Sequence, residues 1–281
     1  MKKVAIAILF VCNYMLASGY ETIDVLSLGK GPSIVIIPGL GGTNVWKSTI
    51  EVLSEKNRCH IISIKGLNGQ KNQNDSDFSK VMDEIKQYIN SEKLNKPILM
   101  GHSFGGFLSI QLISRNPELF KELILVDSYA FSLAMYNPAF TQEIGKQQSI
   151  AFKSQILALP DQNYSTFWLQ NVKQLVSDTI NEKIIYNNII LSERKNVTEA
   201  QAFMLSNDLR PLLKKITIPT VVLCSKSIYK TMGIDDATIK QRVNDQFKDL
   251  KDCHIFINEK SRHFIMLDDK EWFIENVKKF I

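Results

Sequence analysis

Residues 97–114 read PILMGHSFGGFLSIQLIS, a short apolar run, a glycine-rich turn and then a helical apolar period. No other stretch of the chain restricts the fold so tightly. The run at 97–100 predicts a buried strand and the spacing of 104–114 a helix. Passing from one to the other within GHSFGG demands an unusual backbone at Ser103. Gly101 and Gly105 lack the side chains that would hold strand and helix apart. Ser103 is thereby lifted on a tight turn as a candidate nucleophile. The next backbone N–H, that of Phe104, points where an oxyanion would form, near the positive end of the helix.

The same alternation recurs along the chain. Apolar runs at 33–37, 59–64, 98–101 and 122–126 alternate with helical periods at 45–56, 77–92 and 104–114. Short apolar strands between longer helices describe an α/β protein with a mostly parallel central sheet flanked by helices. From 129 to about 216 the alternation stops, and mostly helical sequence with aromatic residues such as Phe131, Phe140, Phe152 and Trp168 predicts an inserted helical cap. The strand pattern restarts at 219–224. A helix near 236–250, a strand at 253–257 and a helix from Lys270 follow. Asp268, three residues before Glu271, resembles a capping box for that last helix.

Composition sets the bounds. A chain of 281 residues, 44% hydrophobic and 22% charged, can bury one sizeable core as a single domain. Residues 1–19 carry Lys2 and Lys3, an uncharged apolar stretch at 4–16 and the small residues Ala17 and Gly19. They read as a signal peptide cleaved near Gly19, leaving 20–281 as the domain, periplasmic or secreted and without a membrane span. Removing the two lysines leaves 34 − 2 = 32 basic against 29 acidic residues, so the formal charge falls from +5 to +3. No basic stripe interleaved with aromatics accompanies it, and nucleic acid is not an expected partner. Cys59, Cys224 and Cys253 lie in or beside apolar runs and read as buried thiols, without a disulfide framework or metal-ligand spacing. The oligomeric state is left open.

A nucleophile of this kind needs a second oxyanion donor and a base. IIPGLGGTNVW at 36–46 places a glycine turn after an earlier strand, and the N–H of Leu40 is the candidate donor. The turn lacks the Gly-Lys-Ser/Thr ending of a phosphate loop. Among the four histidines, His102 belongs to the turn at Ser103, and His60 and His254 lie in strand-like runs. His263 alone lies in a loop between the last strand and last helix, at the strand ends where a nucleophile is faced. It is the candidate general base.

Strand-PGLGG-helix, GHSFGG, the helical insertion and RHFIMLDD together resemble the α/β-hydrolase superfamily over most of 30–281. PGLGG, the Trp46 helix and DLRPLLKKITIPTVVL are similar to small secreted or periplasmic bacterial members. The resemblance implies a carboxylesterase-like enzyme with a Ser-His-Asp triad, in the chain order nucleophile, acid, histidine, and without cofactor or metal. The sequence departs from the family pattern in three places. Pro38 replaces the usual histidine before the oxyanion glycine, and Lys65 replaces an acidic residue after the next strand.

The third departure concerns the acid. No Asp or Glu occurs between Pro219 and Gly233, where most members carry it. Asp127, ending the strand ELILVDS, matches members whose acid follows that strand. Asp235 and Asp236 are the alternatives, although either suits the N-cap of the helix that begins ATIKQRV. Asp127 is preferred because a strand end orients an imidazole better than a loop tip. The expected substrate is a small, largely apolar ester or thioester held under the cap. The competing reading is a non-catalytic small-molecule binding protein on the same scaffold, motivated by the missing acid.

Overall fold

The computed structural model describes residues 15–17, 19–71 and 77–281. Most of the expected leader lies outside them. Among the described residues eight strands form one sheet: β1 (Met15–Ala17), β2 (Ile23–Gly29), β3 (Ser33–Ile37), β4 (Arg58–Ile64), β5 (Ile98–His102), β6 (Glu122–Val126), β7 (Thr220–Ser225) and β8 (Cys253–Asn258). Their spatial order is β1-β2-β4-β3-β5-β6-β7-β8. The pairs β1–β2 and β2–β4 are antiparallel and all others parallel. The central strands SIVII, ILMGH, ELILV and TVVLCS are apolar on both faces because helices cover both. β2 escapes a period-two reading, since Leu26 and Leu28 are half-buried on the face opposite Ile23 and Val25 and blur its alternation.

The helices fall largely where the periodicity puts them. α1 (Lys47–Leu53) follows a short 3-10 turn, and α2 (Phe78–Ser91) begins at Asp77, whose carboxylate accepts from the Ser79 and Lys80 N–H groups. α3 (Phe104–Arg115) follows β5 with one residue between. Between β6 and β7 run α4 (Ser132–Tyr136), α5 (Gln142–Ala158), α6 (Asp161–Leu175), α7 (Thr179–Leu191), α8 (Arg194–Ser206) and α9 (Arg210–Leu213). The chain closes with α10 (Ser227–Thr231), α11 (Asp236–Phe247), α12 (Ile265–Asp268) and α13 (Lys270–Lys278). No helix among the described residues is long and apolar enough to cross a membrane.

The strand register positions the site. Ile37 pairs with Gly101, His102 with Val126, Val126 with Leu223 and Ser225 with Asn258. The carboxyl ends of β3, β5, β6, β7 and β8 therefore finish together, and the five loops that follow them emerge at one edge of the sheet. Trp46, fully buried, packs edge-on against both His102 and Phe273 and fixes the segment after β3 to that edge. Cys59 and Cys224 are buried free thiols and Cys253 is half-buried. Lys65 donates to the Tyr20 carbonyl at 2.6 Å and lies 3.6 Å from Asp24, tying β2 to the end of β4.

Candidate active site

Ser103 is the single residue between β5 and α3, with φ 51° and ψ −122°. A non-glycine residue holds such a conformation only where its surroundings over-determine it. Here the Ser103 N–H donates to the Val126 carbonyl, and the Ser103 carbonyl accepts from Phe107 N–H and the Ser128 hydroxyl. Gly105 is required by approach: a Cβ there would fall 2.0 Å from the Ile37 carbonyl oxygen. Removing that side chain lets α3 start directly against the end of β3.

The turn after β3 comes equally close. A Cβ on Gly39 would lie 2.9 Å from the Ser103 Cβ. Gly42 N–H donates to the Gly39 carbonyl at 3.0 Å and closes the turn around Leu40. The Leu40 and Phe104 amides thus belong to the two backbone segments that flank Ser103. Phe104 opens α3, so its N–H is one of the orphan donors of a helix start.

His263 stands on the loop after β8. Asn258 Oδ1 accepts from the Lys260 and Ser261 N–H groups, Ser225 Oγ donates to the Ser261 carbonyl at 2.7 Å, and Asp268 Oδ2 accepts from Arg262 N–H at 2.8 Å. Every residue leading to His263 is held. Its carbonyl accepts from His102 Nε2 at 3.1 Å, and the two imidazole rings lie 4.6 Å apart. Burial, and then the neighbouring His263, push His102 well below the ordinary histidine range, so it stays neutral beside His263.

The carboxylate on the His263 ring is that of Asp127. His263 Nδ1 donates to Asp127 Oδ2 at 2.7 Å, while Oδ1 accepts from Ser225 N–H at 2.8 Å and from the Tyr129 hydroxyl at 3.3 Å. Asp127 directly follows β6, with φ 40°, and is buried. With Nδ1 committed, Nε2 is left as the acceptor nitrogen.

The other two aspartates do different work. Asp235 accepts from Thr238 N–H and Oγ1 and caps α11, and Asp236 pairs with Lys226 and Lys230. Lys226, beside the position where an acid would follow β7, also pairs with Glu259.

One capping expectation shifts. Asp269, not Asp268, caps the last helix, accepting from Trp272 N–H, because the single turn α12 takes up Asp268 and frees its carboxylate. Asp268 instead bridges Arg262 N–H and Ser177 N–H, joining the His263 loop to the segment between α6 and α7. Sequence reasoning also missed Ser225 and Asn258. Both act through loop hydrogen bonds between residues distant in the chain, and no local pattern announces them.

Among the described residues no cluster of three or more His, Cys, Asp or Glu side chains is placed to hold a metal ion. A cavity of about 580 Å³ opens between α2, α3, α5 and α8, with Gln111, Arg115, Lys153 and Phe203 in its wall. Neither Ser103 nor His263 lines it.

Comparison with known proteins agrees with this architecture. RutD of Serratia proteamaculans, named for carbamate hydrolysis, is 24% identical over 206 residues, 71% of this chain and 76% of that protein. The pimeloyl-[acyl-carrier protein] methyl ester esterase of Vibrio campbellii is 28% identical over 103 residues, 36% of this chain and 39% of the esterase. Among solved structures, the enol-lactonase of Burkholderia xenovorans LB400 superposes with a TM-score of 0.72 at 13% identity, covering 95% of this chain and 99% of that one. At 13% identity that superposition establishes architecture and not chemistry. The alpha/beta hydrolase fold family matches residues 32–270, nearly the whole described chain, and the protein belongs to that family.

Proposed function

We propose that this chain is a serine hydrolase that cleaves a small, largely apolar carboxylic ester or thioester through an acyl-enzyme intermediate. The observation that carries the reading is the 2.7 Å hydrogen bond from His263 Nδ1 to the buried Asp127 carboxylate, with the His263 ring 4.6 Å from that of His102, the residue before a serine held at positive φ. Ser103 Oγ attacks the acyl carbon while His263 Nε2 takes its proton. The N–H groups of Leu40 and Phe104 hold the oxyanion of the tetrahedral intermediate. That intermediate collapses as His263 returns the proton to the leaving alcohol or thiol. Water then attacks the acyl carbon as it gives a proton to His263 Nε2, and the second tetrahedral intermediate collapses as His263 returns that proton to Ser103 Oγ, releasing the acid and free Ser103.

Relatives named for carbamate and methyl-ester hydrolysis act, by those names, on electrophilic acyl carbons, and they support this substrate class. The apolar side chains of α4–α9 favour an uncharged acyl group. A fluorophosphonate probe tests the proposal: wild type is labelled covalently and Ser103→Ala is not. A folded wild type that resists labelling returns the chain to the reading of a binding protein on this scaffold.

A further inference from the structure

We infer that Asn188 is a positioning residue for the oxyanion-holding turn, acting on the backbone around Leu40 from a helix that supplies no reacting group. The inference rests on the reading of Ser103 as nucleophile and of Leu40 N–H as donor. Asn188 sits in α7 between Ile185 and Ile189, and all three are buried. A primary amide in such surroundings is costly unless its hydrogens are used. Asn188 Nδ2 donates to the Leu40 carbonyl at 2.8 Å and to the Leu67 carbonyl at 3.1 Å.

The turn is shaped to receive it. Gly42 has φ +74°, and a Cβ there would fall 2.3 Å from Asn188 Oδ1. A side chain at 42 would therefore expel the amide. Next to it, Ser192 Oγ donates to the Asn188 carbonyl at 2.6 Å and accepts from Gly69 N–H at 2.9 Å. The end of α7 is thereby joined to the loop after β4 as well.

The geometry bears on the candidate donor. In a trans peptide the carbonyl and the N–H point in opposite directions. The Gly39 carbonyl is turned inward to accept from Gly42 N–H, so the Leu40 N–H of the same peptide faces out of the turn. Asn188 holds the next peptide through the Leu40 carbonyl. Both planes flanking the Leu40 Cα are then fixed. Both amide hydrogens are spent on carbonyls, so Asn188 orients the donor and has none left for substrate.

An oxyanion donor acts on the transition state, so loosening it lowers kcat and leaves KM in place. Deleting such a donor costs about 100- to 1,000-fold in kcat; releasing its support while the N–H remains should cost about 10- to 100-fold. The test compares Asn188→Asp and Asn188→Ala with wild type on p-nitrophenyl butyrate. The rate of fluorophosphonate inactivation, which also builds a tetrahedral centre on Ser103, is measured alongside. Asn276→Ala serves as control, since Asn276 is a buried asparagine bonded only within α13 and to the adjacent Lys279.

The expected result is a parallel fall in kcat and in phosphonylation rate for both Asn188 variants, with KM within about two-fold. Asn276→Ala lowers the melting temperature and keeps kcat. A folded Asn188 variant with wild-type kcat, or one that changes KM alone, overturns the inference. A wild type that fluorophosphonate does not label overturns the nucleophile reading itself, and the inference with it.

Discussion

Ser103 and Asp127 are two of four non-glycine residues at positive φ among the described residues, and each stands at the end of a parallel strand. Strain at both positions is maintained by hydrogen bonds to neighbouring strands. Asp127→Asn keeps the shape of the site but removes the charge opposite His263. It should lower kcat on a p-nitrophenyl ester by about 1,000- to 10,000-fold. Asp236→Asn should leave kcat within about two-fold, because Asp236 pairs with Lys226 and Lys230. Steady-state rates of the two variants decide between them. The turn that holds Ser103 between β5 and α3 was legible from its neighbours in the chain. Which aspartate meets His263 was legible only as a preference for Asp127 over Asp235 and Asp236, since Asp127 and His263 are 136 residues apart.

A second residue-scale prediction concerns His60. Burial, and secondarily the Arg58 charge, lower it to about 4. A histidine depressed in the folded state binds fewer protons folded than unfolded. Its contribution is complete above about pH 6.5 and is lost as pH falls toward 4, at most about 3 kcal/mol. The urea midpoint of wild type should fall across that window, and His60→Gln should flatten the fall.

At the scale of elements, β6 begins at Glu122 and places Asp127 directly after its carboxyl end. Glu122 is buried with Oε1 unpartnered, and burial pushes its carboxyl up to about 7. Such an acid binds protons more tightly folded than unfolded, so stability falls as pH rises from about 4.5 to 7. Glu122→Gln should therefore stabilise the protein at pH 8 by about 1–3 kcal/mol and change little at pH 4.5. Chemical denaturation at the two pH values measures the difference. The main strands and helices were legible because their periods of two and 3.6 are local properties. Asp269 displacing Asp268 at the cap was not, since the turn α12 exists only where the His263 loop docks.

For the whole molecule, β1 is a three-residue strand that pairs, among the described residues, with β2 alone, and cleavage near Gly19 would remove it. Tyr20 would remain to accept from Lys65 and to hydrogen-bond Ser91. The chain from Tyr20 to Ile281 should melt within about 5 °C of the full chain, since a short strand contributes few buried contacts. Differential scanning calorimetry of both chains checks this. By itself the sequence determined the α/β class, the turn that presents Ser103, the glycine turn at Leu40 and the histidine in the last loop. Each of these is written in residues a few positions apart, where backbone sterics and apolar periodicity act. Only the tertiary structure decided the carboxylate opposite His263, the bridge that Ser225 makes between Asp127 and the His263 loop, and the contact of Asn188 with the Leu40 turn. These depend on strand register and helix docking, which bring together residues whose separation in the chain leaves no pattern to read.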